Sequence, residues 1–183
     1  MLPGMKRLHL SARGDSHNPV YPPVVGVDDN DLEYLSRCVE LACEALDDGD
    51  EPFGSILVDH AGRVLFEDRN RVKDGDHTRH PEFAITQWAV ANLTPDERAD
   101  TTVYTSGEHC PMCAAAHAWV GLGRIVYAAS SEQLTQWLSE WGASPPPVAP
   151  LPITTVAPRA DVAGPASEYA DVMKALYEKK FRS

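Results

Sequence analysis

The alternation of apolar and polar residues in the first half of the chain predicts a helix followed by a β-hairpin. Apolar residues recur at helical spacing up to about Asp47, and Asp28, Asp29 and Asn30 are candidates to cap the start of that helix. After the loop "DDGDEPFG", residues 55–72 form two β-rich runs around a His-Ala-Gly turn, which predicts the hairpin. The apolar face of the helix consists of Leu32, Leu35, Val39, Ala42 and Leu46.

Helical and strand patterns alternate through the rest of the chain. The predicted helices cover 81–93, 111–123, 131–141 and 167–181, and the predicted strands cover 101–106 and 124–130. Residues 152–158 ("PITTVAP") follow a proline-rich connection and are predicted to form an edge strand. Trp88 and Trp119 lie among apolar helical residues, so we expect both in the core. This order predicts an α/β fold, a three-layer α/β/α sandwich on a mixed five-stranded sheet with helices on both faces.

Composition divides the chain into a short lead-in and one domain. Residues 1–27 are rich in proline, glycine and polar residues, and we expect irregular structure there. Residues 28–183 are long enough to bury a core and are expected to form a single domain that closes with the C-terminal helix. No apolar run approaches the roughly 20 residues that span a bilayer. No apolar signal segment follows Lys6 and Arg7, so we expect a cytoplasmic protein with no membrane partner.

The charge of the chain argues against long polynucleotides as partners. The formal net charge at pH 7 is −11, and basic residues cluster only at Lys179, Lys180 and Arg182. Proteins that bind polynucleotides need clustered lysine and arginine to neutralise phosphates. The same charge disfavours binding to anionic membranes.

Four reactive side chains lie beside two of the predicted helix starts. His80 and Glu82 belong to "TRHPEF", Cys110 and Cys113 belong to "EHCPMC", and in each stretch a proline takes the first helical position. One imidazole and two thiolates give three zinc ligands and leave the fourth position open, which is typical of a catalytic site. Zinc lowers the pKa of bound water to about 7, and Glu82 is the candidate general acid and base. The sequence therefore predicts a Zn²⁺ site formed by His80, Cys110 and Cys113.

Other interpretations of these residues remain open at the level of sequence. A C-x-x-C pair also occurs in redox modules, and His109 as a fourth ligand would make the zinc site structural. Asn70 either stabilises the turn after the hairpin or lines a pocket, and Phe53 fits the core or a pocket equally well. The cysteine pair at positions 38 and 43 has helical spacing and is predicted to consist of buried thiols.

The ordered motifs resemble the cytidine-deaminase superfamily, whose pattern is H-x-E followed by P-C-x-x-C. Within that superfamily, "EPFGSILVD", "NRV", "RHPE", "VYTSGEHCPMC" and "RIVYAAS" are similar to blocks of bacterial guanine deaminases over about residues 30–132. The resemblance implies a cytidine deaminase-like fold, hydrolytic loss of ammonia from an amidine-like ring carbon with proton transfer by Glu82, and a base held by Asn70. It also implies a homodimer in which the C-terminal segment, with its "YEKKF" echo, lies near the partner's pocket.

Three departures from the guanine deaminase pattern affect the expected substrate. H-P-E replaces the usual H-A-E, which leaves the ligand and the acid/base residue intact. His109 stands where the family has proline, and we expect it to line the pocket or support the ligands. Glu132 in "SSEQL" is the nearest candidate for the acidic residue that contacts the purine in that family.

The sequence thus predicts a zinc-dependent hydrolase that uses water to release ammonia from a free, amino-substituted nucleobase. A guanine-like purine is the first candidate, and isoguanine, 8-oxoguanine, ammeline and 5-azacytosine are related possibilities. The predicted substrate-binding residues are Asn70, Phe53, His109 and Glu132. Deamination of adenosine in tRNA and a non-catalytic zinc or redox module are the alternatives, and the net charge disfavours the first of these.

Overall fold

The computed structural model describes residues 26–182, so most of the predicted lead-in lies outside the described residues. The helices are α1 (Asp29–Asp47), α2 (Pro81–Asn92), α3 (Pro95–Ala99), α4 (Pro111–Val120), α5 (Ser131–Glu140), α6 (Ile153–Val156) and α7 (Ala170–Phe181). The strands are β1 (Gly54–Val58), β2 (Val64–Arg69), β3 (Thr102–Gly107), β4 (Arg124–Ala129) and β5 (Val162–Ala163). No helix within residues 26–182 is long and apolar enough to cross a membrane.

The five strands form one mixed sheet in the order β2-β1-β3-β4-β5. β1 runs antiparallel to both β2 and β3, whereas β3, β4 and β5 are mutually parallel. The register places Ser55 opposite Thr105 and Gly107 opposite Ala129. The start of β1 and the ends of β3 and β4 therefore meet at the same end of the sheet.

Helices cover both faces of this sheet, which confirms the predicted three-layer sandwich. Ile56 and Tyr104 point into the layer formed with α1, α5 and α7. Their neighbours Leu57 and Val103 point to the opposite face and pack against α2. Ile125 continues that second layer beneath α4 and α6. Successive strand residues alternate between the two layers, as the pleat of a strand requires.

An ion pair between a buried aspartate and a partly exposed arginine anchors the start of α1 to the sheet. Asp28 caps the helix, as predicted, by accepting the Asp31 N–H at 2.8 Å. Asp31 is only 1% exposed, and its carboxylate accepts from the Arg124 guanidinium at 2.8 and 2.9 Å and from the Tyr104 hydroxyl at 3.0 Å. One carboxylate thus joins α1 to both β3 and β4.

Replacing Asp31 with alanine is expected to lower the free energy of unfolding by about 2 to 4 kcal/mol, because Arg124 and Tyr104 both lose a buried acceptor. Urea denaturation followed by circular dichroism measures the change. Asp29→Ala is the matched control, since Asp29 is an exposed residue of the same helical turn and its loss should cost less than about 1 kcal/mol. Equal losses in both variants would contradict the anchoring role of Asp31.

Two segments differ from the sequence prediction. The edge strand predicted for residues 152–158 is wrong, because Ile153–Val156 forms the one-turn helix α6 and β5 takes the sheet edge. Ile153 is fully buried and its N–H donates to Glu108 Oε1 at 2.9 Å, so tertiary contacts override the β-propensity of the segment. Helix α3 was not predicted, although Thr94 and Glu97 form a capping box that is visible in the sequence.

The expectation that Trp119 lies in the core is also wrong, because Trp119 is 88% exposed. The buried face of α4 contains Cys113 and His117. Trp119 is two residues beyond His117, which turns it about 200° around the helix and onto the outer side. Trp88, in contrast, packs against the core and stacks on Phe66 with ring centroids 5.5 Å apart.

Candidate active site

The two helix starts present their ligands at the residue just before a proline. His80 is the N-cap of α2 and Cys110 is the N-cap of α4, and both have an extended backbone. A proline disfavours the helical conformation of the residue that precedes it and tolerates the lack of an N–H partner at the first helical position. Cys113 follows in the first turn of α4. The two prolines therefore define where each helix begins and where each ligand lies.

The three predicted ligands come together in the structure. Their ligand atoms all lie within 4.8 Å of one another, and His80 Nδ1 is 3.6 Å from the sulfur of Cys110 and 3.6 Å from that of Cys113. Bonds of about 2.1 Å to nitrogen and 2.3 Å to sulfur at a tetrahedral angle place those atoms about 3.6 Å apart. The donor set and its spacing therefore fit zinc with one coordination position open. Zinc bound there supplies a Lewis acid that activates water.

Burial and mutual contacts set the protonation of the ligands. The hydrogen bond with Cys113 lowers the pKa of Cys110 to about 4, and His80 contributes further. The contact with Cys110, followed by burial, raises the pKa of Cys113. Burial lowers the pKa of His80, but its contact with Cys110 and the nearby acidic charges outweigh that effect and raise it to about 9. Zinc requires neutral imidazole and thiolates, so its affinity falls as the pH decreases.

Glu82 lies next to the ligands and is itself 5% exposed. Its Oε2 is 3.6 Å from Cys113 Sγ, while Oε1 accepts hydrogen bonds from the hydroxyls of Ser55 at 3.0 Å and Thr105 at 2.9 Å. Burial raises the pKa of Glu82. A buried carboxyl with a raised pKa holds a proton more readily than an exposed one, which suits it to exchange protons with a reacting group.

Phe53 and Tyr177 form an aromatic wall beside Gly107, close to these side chains. Their ring centroids are 5.4 Å apart. A Cβ atom at position 107 would lie 2.8 Å from the Tyr177 hydroxyl and 2.9 Å from a ring carbon of Phe53, so only glycine leaves both rings in place. Burial raises the pKa of Tyr177, and the charge of Glu82 adds to the effect. Sequence reasoning missed Tyr177, although the closing "YEKKF" contains it.

Asn70 is fully buried directly after β2, at the same end of the sheet as Phe53. Its backbone N–H donates to the Phe53 carbonyl at 2.9 Å, and its side-chain Oδ1 accepts the Val72 N–H at 3.1 Å. The second bond orients the amide, and Nδ2 has no hydrogen-bond partner within residues 26–182. Asn70 therefore stabilises the turn and also presents a buried donor that needs an acceptor.

His109 is buried beside the loop that carries Cys110. Its side chain packs edge-on against His117, with ring centroids 5.4 Å apart, and it is 1% exposed. Neither ring nitrogen of His109 has a hydrogen-bond partner in the described part of the chain. Burial, with the nearby charges of His117 and His80, lowers the pKa of His109, so its ring is neutral. The three-ligand cluster does not include it.

The two glutamates that follow the ends of β3 and β4 have different surroundings. Glu132 is exposed in the first turn of α5, and no hydrogen bond or ion pair joins it to the ligand cluster among residues 26–182. Glu108 accepts the backbone N–H groups of Ser131 at 2.8 Å and Ile153 at 2.9 Å. Glu108 thus ties the starts of α5 and α6 to the loop that carries Cys110.

Comparison with known families identifies this arrangement. Residues 28–129 match the family described as the cytidine and deoxycytidylate deaminase zinc-binding region. The chain belongs to this deaminase family. The predicted fold class and zinc cofactor are thereby confirmed, and His80, Cys110 and Cys113 are positioned to bind the metal.

Relatives of this deaminase carry names that differ in substrate. A probable cytosine deaminase of Schizosaccharomyces pombe is 38% identical over 120 residues, which are 64% of this chain and 72% of the relative. Guanine deaminase of Bacillus subtilis is 36% identical over 102 residues, or 55% of this chain and 65% of the relative. The tRNA-specific adenosine deaminase of Haemophilus influenzae is 31% identical over 101 residues, or 55% of this chain and 58% of the relative.

Solved structures agree with the deaminase fold. The guanine deaminase from Bacillus subtilis superimposes with a TM-score of 0.51 at 29% identity, covering 66% of this chain and 82% of that one. A guanine deaminase from Nitrosomonas europaea superimposes with a TM-score of 0.63 at 22% identity, covering 87% of this chain and 89% of that one. The second likeness concerns the fold alone.

Proposed function

We propose that this deaminase releases ammonia hydrolytically from a free, amino-substituted nucleobase. A guanine-like purine is the first candidate, with isoguanine, 8-oxoguanine, ammeline and 5-azacytosine as related substrates. The observation that carries the proposal is the position of Glu82 Oε2, which lies beside three convergent ligand atoms in a buried site. A metal-ligand cluster and an adjacent buried carboxyl are what hydrolysis of a ring C–NH₂ bond requires.

Different residues of this chain bind the metal and transfer the protons. His80, Cys110 and Cys113 hold zinc. Glu82 accepts a proton as water adds to the ring carbon and donates a proton to the leaving nitrogen, so that the amino group becomes ammonia and the ring keeps a carbonyl oxygen.

The base itself is bound by a second set of residues in this proposal. Asn70 donates from Nδ2 to an acceptor on the base, and Phe53 packs against the ring. Glu132 approaches the base from the start of α5. This helix follows the end of β4, which lies beside the end of β3 because Gly107 is paired with Ala129. His109 supports the loop that carries Cys110 from behind.

A free base is favoured over adenosine in tRNA by the charge around the site. The formal net charge is −11, and the cleft beside His80 is lined by Asp68 and Asp76 as well as Arg71 and Arg79. A surface of mixed sign lacks the concentrated positive charge that phosphate binding needs. Two of the relatives are named for the bases cytosine and guanine. A tRNA-retention assay at low salt tests the alternative.

A homodimer belongs to the same proposal. Within one chain, α7 already places Tyr177 next to Phe53, and Phe181 lies next to Tyr177 with ring centroids 6.2 Å apart. In the proposed dimer, the C-terminal end of α7, at Phe181, is the part that would lie near the partner's pocket. Light scattering after size-exclusion chromatography measures the oligomeric state, and a monomer at all concentrations would contradict the dimer.

A panel of bases tests the proposed function directly. Zinc-loaded protein is incubated with guanine, isoguanine, 8-oxoguanine, ammeline, 5-azacytosine, cytosine and adenine, and ammonia is measured. We expect kcat/KM for one base to exceed that for the others by at least about tenfold, because an unpaired group in a buried site is costly. The proposal fails if no base yields more ammonia than a Glu82→Ala variant does.

A further inference from the structure

Two buried hydroxyl groups from different strands converge on one oxygen of Glu82. Ser55 of β1 and Thr105 of β3 are opposite each other in the register, and both are completely buried. Their hydroxyls lie 3.0 and 2.9 Å from Glu82 Oε1 and 2.8 Å from each other. The Thr105 hydroxyl is also 3.0 Å from the Gly107 carbonyl oxygen.

These hydroxyls occupy positions where the sheet otherwise buries apolar side chains. Ser55 is followed by Ile56, Leu57 and Val58, which are all core residues. A hydroxyl buried in such surroundings is costly unless it is hydrogen-bonded. Glu82 Oε1 lies within hydrogen-bonding distance of both hydroxyls.

The two oxygens of the carboxylate therefore have different surroundings. Oε1 faces the two hydroxyls, whereas Oε2 lies 3.6 Å from Cys113 Sγ on the side of the metal ligands. The terminal torsion of a glutamate side chain has a broad, weak preference, so the side chain alone does not fix this orientation. Hydrogen bonding between Oε1 and the paired hydroxyls of Ser55 and Thr105 holds it.

We propose that Ser55 and Thr105 are positioning residues for the deamination reaction, which hold Glu82 Oε1 so that Oε2 faces the reacting groups. This inference rests on the proposed function in that Glu82 is the proton-transfer residue. Mutation of a residue that orients a group in a metal site typically lowers activity by about 10- to 100-fold. We expect an effect of that size on kcat and little change in KM, because both residues are completely buried and act on the reaction through Glu82.

Ser106 provides a matched control within the same strand. It is also fully buried, but its Oγ accepts the Gly54 N–H at 3.0 Å. Removing this hydroxyl deletes a buried hydrogen bond beside the site without touching Glu82. A general loss of packing or stability would affect Ser106→Ala as much as the two positioning variants.

The kinetic test compares Ser55→Ala, Thr105→Val, Thr105→Ser and Ser106→Ala on the best base of the panel, with zinc content measured for each. We expect kcat to fall about tenfold or more in Ser55→Ala and Thr105→Val. Thr105→Ser, which keeps the hydroxyl, should stay within about threefold of the parent, and Ser106→Ala should keep its kcat. Unchanged kcat in Ser55→Ala and Thr105→Val, or an equal loss in Ser106→Ala, would overturn the proposal.

A structural measurement separates this inference from the proposed function. In a crystal structure of the Ser55→Ala/Thr105→Val variant we expect the Glu82 carboxylate to rotate or to occupy several orientations. An unmoved, single orientation would overturn the positioning role whether or not any base is deaminated. If the parent protein deaminates no base but the carboxylate moves in the variant, the proposed function fails, and what stands is that the two hydroxyls orient Glu82.

Discussion

Replacing Glu82 with glutamine is expected to lower kcat for ammonia release by about 10²- to 10⁴-fold, the usual contribution of a positioned general acid or base. Glutamine has nearly the same shape, and its carbonyl oxygen can still accept the hydroxyls of Ser55 and Thr105. Its amide group cannot take a proton from water or return one to the leaving nitrogen. The substitution therefore removes the chemistry and keeps the packing.

Zinc content and thermal stability identify the cause of that loss. Glu82 is not one of the three convergent ligands, so Glu82→Gln should bind as much zinc as the parent protein. Glu33→Gln makes the same chemical change at an exposed position of α1 and should retain full activity. A Glu82→Gln variant that retains zinc and turns over within about tenfold of the parent would exclude a proton-transfer role for Glu82.

The sequence predicted the ligand cluster because each ligand is defined locally. A proline after His80 and after Cys110 marks the first helical position, and Cys113 then follows within one turn. The H-x-E and C-x-x-C spacings could therefore be interpreted without knowledge of the tertiary fold. The structure confirms that these ligand atoms converge.

The parts that sequence reasoning missed depend on contacts between distant segments. Tyr177 reaches the site only because α7 folds back over the sheet and because Gly107 leaves room for its ring. The edge strand predicted at 152–158 was wrong because the backbone of Ile153 is bound by Glu108, which lies far away in the sequence. Neither contact leaves a periodic pattern in its own segment.

The direction of the His109 side chain also depends on tertiary contacts rather than on the local sequence. Its position next to Cys110 in the sequence predicts that it lines the pocket or supports the ligands, and its ring packs against His117 on the buried face of α4. Adjacent residues at a helix start point in different directions, so proximity in sequence does not determine which side chain faces the site.

Replacing Cys113 with serine is expected to reduce bound zinc from about one ion per chain to a small fraction of that, because a serine hydroxyl does not replace a thiolate ligand. Cys113 is completely buried, and its sulfur is 3.6 Å from His80 Nδ1. Metal that binds only the folded state adds RT ln(1 + [L]/Kd) to stability, or about 4 kcal/mol at a thousandfold excess over Kd. A chelator should therefore lower the melting temperature of the parent protein but change that of Cys113→Ser little.

Cys43→Ser is the matched control, since Cys43 is a partly buried thiol in α1 outside the ligand cluster. It should retain zinc and the response to chelator. Cobalt substitution gives a second measurement that depends on the ligands rather than on stability: the sulfur-to-cobalt absorption should weaken in Cys113→Ser and stay unchanged in Cys43→Ser. Full zinc occupancy with unaltered cobalt absorption in Cys113→Ser would remove Cys113 from the ligand set, and with it the three-ligand geometry on which the open coordination position depends.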